Sequence, residues 1–145
     1  MGSNGFYKEA SPVGWTNANS TRLIIIKNEG TAWGNRDSGD GSYYIGLQNY
    51  GGVTSDISQV IRNLIVNKEY RVTFSAAKRS SAAATLRVVC NGVTKTYTSF
   101  LSDSFKSYTF TFTANKTEDT LVFKNNTLGT ADITIFIDNV SVVPI

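Results

Sequence analysis

Alternation of apolar and polar side chains is the pattern that most narrows what this chain can become. Tyr70, Val72, Phe74 and Ala76 fall on one face of an extended segment, and Arg71, Thr73 and Ser75 fall on the other. Tyr108, Phe110 and Phe112 alternate in the same way with Thr109, Thr111 and Thr113. A period of two belongs to a strand with one buried face, not to a helix. Threonine suits the outer side of such a strand, because its restricted rotamers cost little there. Further strands are predicted over Thr21–Lys27, Ser42–Gln48, Asp56–Arg62, Ala84–Cys90, Val93–Thr98 and Thr120–Lys124. A last one runs from Ile133 to Pro144.

Between these runs lie clusters that break a strand: Asn28-Glu-Gly30, Asp37-Ser-Gly-Asp-Gly41, Asn49-Tyr-Gly-Gly52 and Asn91-Gly92. Asn-Gly accepts the two positive φ angles of a type I′ turn, so a tight hairpin is predicted at Asn91-Gly92. The alanine-rich Ser80–Ala84 is too short to nucleate a helix alone. About nine short strands separated by frequent turns point to an all-β fold, an antiparallel β-sandwich of the jelly-roll type. No repeat or linker divides the chain, so residues 1–145 read as one domain.

The final strand breaks the simple alternation. Ile133, Ile135 and Ile137 occupy one phase, while Val140 and Val142 occupy the other. A β-bulge near Asp138-Asn139 reconciles them, because one extra residue flips the facing of all that follow. A carboxylate brought inward there is costly unless it is hydrogen-bonded or bound to a cation.

Composition excludes several kinds of chemistry. The chain has no histidine, which removes the commonest general base and the commonest zinc ligand together. Its one cysteine, Cys90, rules out an internal disulfide and any thiolate cluster. Cys90 shares a phase with Leu86 and Val88 and reads as a small buried hydrophobe. The net charge of +3 is too small and dispersed for a nucleic-acid surface. No run approaches the roughly 20 apolar residues that span a bilayer. Met1-Gly-Ser-Asn has no signal-like apolar core behind it. That start fits an intracellular product, a mature or recombinant piece of an exported protein, or a virion component.

Four segments in order then carry a resemblance: Gly41-Ser-Tyr-Tyr-Ile-Gly-Leu-Gln48, Ile57-Ser-Gln-Val-Ile61, the run Glu69–Arg79, and Ile137-Asp-Asn-Val-Ser-Val142. Together they resemble galactose-binding-like jelly-roll domains, above all those of carbohydrate-binding modules and related cell-surface or virion proteins. Asn4-Gly-Phe6 followed by Gly14-Trp15 looks like a modified form of that family's opening segment. The resemblance implies a ligand bound on the concave sheet or on loops at the sandwich edge, and an extracellular or virion-surface setting. It also implies a structural calcium held between an early acidic residue and the carboxylate of the last strand. Asp138 matches that carboxylate, whereas Asn4-Gly-Phe-Tyr-Lys-Glu9 departs from the pattern expected of its partner. The residues themselves require no cofactor, and Asp138 hydrogen-bonded to backbone amides and hydroxyls is the alternative to calcium.

Binding a sugar takes an aromatic face for the ring and planar polar groups for the hydroxyls. Gln48-Asn49-Tyr50, beside Gly51-Gly52, is the best local match. Trp33-Gly-Asn-Arg36 is the second, and Arg79, leaving its strand, is a third contributor. Other aromatics read as packing. Trp15 belongs with the core, and Tyr43 shares the core phase of Ile45 and Leu47. Tyr44 faces the other side of the sheet with Gln48. Gln59 shares a phase with Ile57 and Ile61, as a satisfied buried amide would. A glycosidase needs two carboxylates flanking one bond, and the acids here are scattered, with Asp37/Asp40 and Glu118/Asp119 in turns. The sequence therefore points to a non-catalytic module that binds a glycan or polysaccharide through Trp33, Arg36, Gln48, Asn49, Tyr50 and Arg79. The alternative is a structural virion protein, a phage head decoration or tail-associated module, whose partners are other virion or surface proteins.

Overall fold

The structure, a computed structural model, describes residues 7–17, 23–28, 33–34, 37–79, 82–100 and 102–145, without side chains at 7–9 and 99–100. Ten strands are formed among the described residues: β1 (Tyr7–Glu9), β2 (Leu23–Lys27), β3 (Tyr43–Asn49), β4 (Asp56–Ile61), β5 (Glu69–Lys78), β6 (Ala84–Cys90), β7 (Val93–Phe100), β8 (Lys106–Thr113), β9 (Asp119–Asn125) and β10 (Ile133–Pro144). They make two antiparallel sheets, one of six strands ordered β1-β2-β3-β10-β5-β8 and one of four ordered β4-β9-β6-β7. The predicted jelly-roll sandwich is thus the observed architecture. Among the described residues no helix is long and apolar enough to cross a membrane. The three-residue β1 escaped sequence reading, since Tyr-Lys-Glu has no alternation and joins the sheet through backbone pairing with β2.

The alternating residues do what their phase dictates. Tyr70, Val72, Phe74 and Ala76 of β5 meet Leu86, Val88 and Cys90 of β6 and Leu121 and Phe123 of β9 between the sheets. Phe74 has no solvent exposure and sits at the centre of an aromatic cluster. It stacks on Tyr108 at 5.6 Å and meets Tyr97 and Phe123 edge-on at 5.7 and 5.1 Å. Such pairs each add roughly 0.5–1.5 kcal/mol beyond the burial of their area. The hairpin between β6 and β7 turns at Asn91-Gly92, with φ of 51° and 74°, as the dipeptide predicts.

The outer face of the larger sheet is also covered. Ile24, Ile26, Tyr44, Ala77 and Phe136 form a second apolar cluster there, joined by Trp33 from the β2–β3 connection and flanked by Phe105. Gly46 makes this packing fit. A Cβ at that position would stand 2.9 Å from Ile26 Cδ1 and 3.3 Å from the Thr134 methyl.

β10 lies at the centre of the larger sheet, between β3 and β5. Its pairing with β5 slips between Asp138 and Ser141, where three steps on β10 match two on β5. Asn139 takes φ of 49° at this bulge. Ile137 before it and Val140 and Val142 after it all pack on the inter-sheet core. Tyr43 departs from its phase: it is 45% exposed instead of core. It is the first residue of β3, opposite the last residue of β2, so the sheet ends where its ring begins. Trp15 does pack as read, against Phe123 at 6.1 Å. Gln59, read as buried, is half-buried beside Gly14.

Candidate functional site

Three connections converge at one end of the sandwich: β3–β4, β5–β6 and β9–β10. Buried amides tie them together. Asn125 Nδ2 donates to the carbonyls of Leu47 and Ile133, both at 2.9 Å. Its Oδ1 accepts from the Thr127 hydroxyl at 2.7 Å. Asn49 Nδ2 donates to the carbonyls of Asn125 and Thr127 at 3.0 and 3.1 Å, and its Oδ1 accepts the Ser55 amide at 2.8 Å. The Ser55 hydroxyl donates to the Gln48 carbonyl. Every one of these groups would cost about 1–3 kcal/mol if buried without a partner. Asn49 therefore corrects its sequence reading: at 3% exposure its amide holds the loops and faces no ligand.

Above this frame lies a compact polar group. Gln48 Nε2 donates to Asp132 Oδ1 at 2.9 Å, and Arg79 Nη1 donates to Asp132 Oδ2 at 3.3 Å. The Arg79 and Asp132 side chains are 32% and 39% exposed. The same guanidinium lies over the Trp33 ring, 4.4 Å from its centroid, an arrangement of the cation–π type. Trp33 is only 6% exposed, so it serves as the floor beneath Arg79 and not as an open platform. Tyr50 supplies the exposed aromatic, at 52%. Its turn, closed by hydrogen bonds with Val53, is fastened to the β9–β10 loop by Gly51 N donating to Thr130 O at 3.2 Å. The fold thus joins Trp33, Gln48 and Arg79, with Tyr50 on a neighbouring turn. Arg36 lies outside the described residues. Asp132, the residue that links the group, escaped sequence reading because it stands 84 positions from Gln48 and 53 from Arg79.

A second concavity lies along the bulge of β10. It has a volume of about 390 Å³ and is walled by Trp15, Ile25, Ile45, Ile57 and Phe123, with Asp40 and Asp138 at its polar side. Burial pushes the Asp138 carboxyl up from its ordinary range, and the charge of Asp40 pushes the same way. Hydrogen bonds from the Ser38 side chain and the Asn139 backbone act against both. One carboxyl oxygen, Oδ2, is shut from solvent and has no hydrogen-bond partner among the described residues. Calcium takes six to eight oxygens, and among the described residues no three acidic, histidine or cysteine side chains converge on one point. The early acidic stretch expected to face Asp138, Asn4–Glu9, lies outside the residues whose side chains are described.

Cys90 is fully buried, and its thiol is pushed up to about 12, first by burial and then by the Asp119 charge, with Lys116 opposing. The thiolate needed for nucleophilic chemistry is suppressed there.

A family model described as "Protein of unknown function (DUF642)" matches residues 13–143. No curated protein matches the sequence. Among solved structures, the chain is similar to the enzymatically active domain of tailspike protein 4 of bacteriophage CBA120, with a TM-score of 0.65 and 15% identity over 92% of this chain. It spans only 20% of that tailspike chain. It is similar to TmCBM61 in complex with β-1,4-galactotriose, with a TM-score of 0.60 and 15% identity over 91% of this chain and 89% of that one. It is also similar to the CBM22-1 xylan-binding domain of Paenibacillus barcinonensis Xyn10C, with a TM-score of 0.62 and 12% identity over 94% and 89%. At these identities the likeness is one of fold: the jelly-roll sandwich of carbohydrate-binding modules.

Proposed function

We propose that this chain, which belongs to the DUF642 family, is a non-catalytic carbohydrate-binding module that takes a glycan at the sandwich end bearing Asp132. The observation that carries this reading is the Asp132 carboxylate, bridged between Gln48 and Arg79 while more than a third of it stays open to solvent. A carboxylate accepts from sugar hydroxyls, a guanidinium donates to them, and the two planar groups side by side fit adjacent hydroxyls on one ring. Because Arg79 and Asp132 neutralise each other, a neutral sugar suits the site better than an ionic ligand. The exposed Tyr50 ring offers an apolar face for the C–H side of a pyranose. The frame of Asn49, Asn125 and Ser55 holds these loops before a ligand arrives, which lowers the entropy lost on binding. The setting that fits is outside a cell, where polysaccharide is available.

The test is affinity electrophoresis and calorimetry against soluble galactan, xylan and β-glucan. Binding by the native chain is expected, with Asp132→Ala and Tyr50→Ala each weakening it at least about tenfold, or ~1.4 kcal/mol. A folded chain that binds none of a broad glycan array would sink the proposal. Structural service in a virion is the second reading, supported by the fold shared with the tailspike domain. Its mark would be co-sedimentation with virion proteins by a chain that binds no sugar.

A further inference from the structure

We infer that the free edge of β8 is an interaction surface for a second copy of this chain, the two β8 strands pairing antiparallel about a two-fold axis. β8 stands last in the six-stranded sheet, and among the described residues no strand lies on its outer side. It matches β5 residue for residue from Lys106 to Thr113 without a slip. After Lys106 it reads Ser-Tyr-Thr-Phe-Thr-Phe-Thr, free of charge, proline and glycine. An edge that is long, regular and uncharged is an open template for another strand. The other three sheet edges are blunted. β1 has only three residues. On β4, Ser58 already exchanges backbone hydrogen bonds with Thr16, both at 2.8 Å. β7 carries Lys95 and slips against β6 between Ala84 and Leu86. Short length, a covering segment, a lysine and a bulge are the usual guards against edge pairing. β8 has none of them past its first residue.

The pairing with β5 fixes which backbone groups are open. Ala114, which continues the register of β8, donates its N–H to the Lys68 carbonyl at 2.9 Å. Even-numbered residues therefore turn their backbone groups to β5, and Ser107, Thr109 and Thr111 turn theirs to the free side. Thr113 turns its carbonyl there too and gives it to Asn91 Nδ2 at 2.6 Å. A two-fold axis at Thr109 matches the open groups: Thr109 faces its own counterpart, and Ser107 faces Thr111 of the partner subunit. Odd residues meet odd ones, so each face of the sheet continues across the join. Thr73 and Ser141 already stand in the row of Thr109, and cross-strand pairs of threonine and serine are favourable. Lys106 falls opposite Phe112 of the partner subunit, far from its own counterpart, so no like charges meet. This self-complementarity is what commits the edge to a second copy over an unrelated extended peptide.

The experiment is sedimentation equilibrium of the whole chain over a concentration series, with amide hydrogen exchange read by NMR on the same samples. A reversible equilibrium that stops at twice the mass of one chain is expected. Exchange at Ser107, Thr109 and Thr111 should slow at least about tenfold from dilute to concentrated protein, while the amides of β7 keep their rates. Thr109 is exposed on the outer face. Thr109→Lys should raise the dissociation constant at least about tenfold, by setting two ammonium groups across the axis. Thr94→Lys, on the edge of β7, should leave it unchanged. The exchange measurement needs no variant and decides the matter if Thr109→Lys fails to fold. A chain that stays monomeric throughout, a dimer that leaves those three amides unprotected, or association that runs on past the dimer would each overturn the proposal. So would a folded Thr109→Lys that dimerises as tightly as the native chain. None of these results depends on sugar binding.

Discussion

At the scale of single residues, burial works against the charge on Asp138, and its neighbours offset only part of that cost. The Ser38 side chain and the Asn139 amide hydrogen-bond the carboxyl, while burial and the Asp40 charge hold its pKa up. A carboxyl whose folded pKa exceeds its unfolded value, about 3.9, binds a proton more tightly in the native state. Its contribution to stability is complete below the unfolded pKa and is lost as pH rises through the folded one. In buffer containing a chelator, Asp138→Asn should therefore raise the melting temperature at neutral pH, with the gain fading as pH falls through the raised folded pKa and gone below the unfolded value of about 3.9. A variant less stable than the native chain at neutral pH would contradict this. The sequence marked Asp138 as costly without fixing how it is satisfied. It marked Gln48 and Arg79 as polar groups near an edge, but nothing local pointed to Asp132. Asn49 looked like a contact residue and is structural, because the carbonyls it satisfies belong to a loop 76 positions away.

Elements were the most legible scale. The strands from β2 to β10 fall where alternation and breaker clusters put them, because the facing of a side chain in a strand depends only on its neighbours. Even the bulge in β10 could be read from the conflict of phase between Ile137 and Val140. Its backbone makes a further prediction. Asn139 holds a left-handed conformation, with φ of 49°, where asparagine is tolerated and a β-branched residue is strained. Asn139→Val should destabilise the chain by about 1–2 kcal/mol in chemical denaturation, while Asn139→Gly should fall within a few tenths of the native value. Equal costs for the two would show that side-chain contacts, and not the turn of the backbone, matter there. β1 was invisible because edge pairing by three residues needs a template strand and no pattern of its own.

For the molecule as a whole, the two sheets share one core, and residues at its centre hold both. Phe123 of β9 has no exposure and packs on Phe74 of β5 and on Trp15. Phe123→Ala should cost about 3–5 kcal/mol and lower the single unfolding transition seen by fluorescence and far-UV signals together. Separate transitions for the two probes would mean that the sheets unfold independently. The sequence by itself determined the class of fold, the strands and the side chains that face the core, since alternating hydrophobicity is a local code written residue by residue. Tertiary structure alone decided which polar groups meet. It set Trp33 in the outer apolar cluster, buried under Arg79, and it brought Asp132 between Gln48 and Arg79. It also shaped a concavity beside Asp138. Those outcomes depend on how loops far apart in the chain close over a finished sandwich, and no short-range pattern records the shape they must fit.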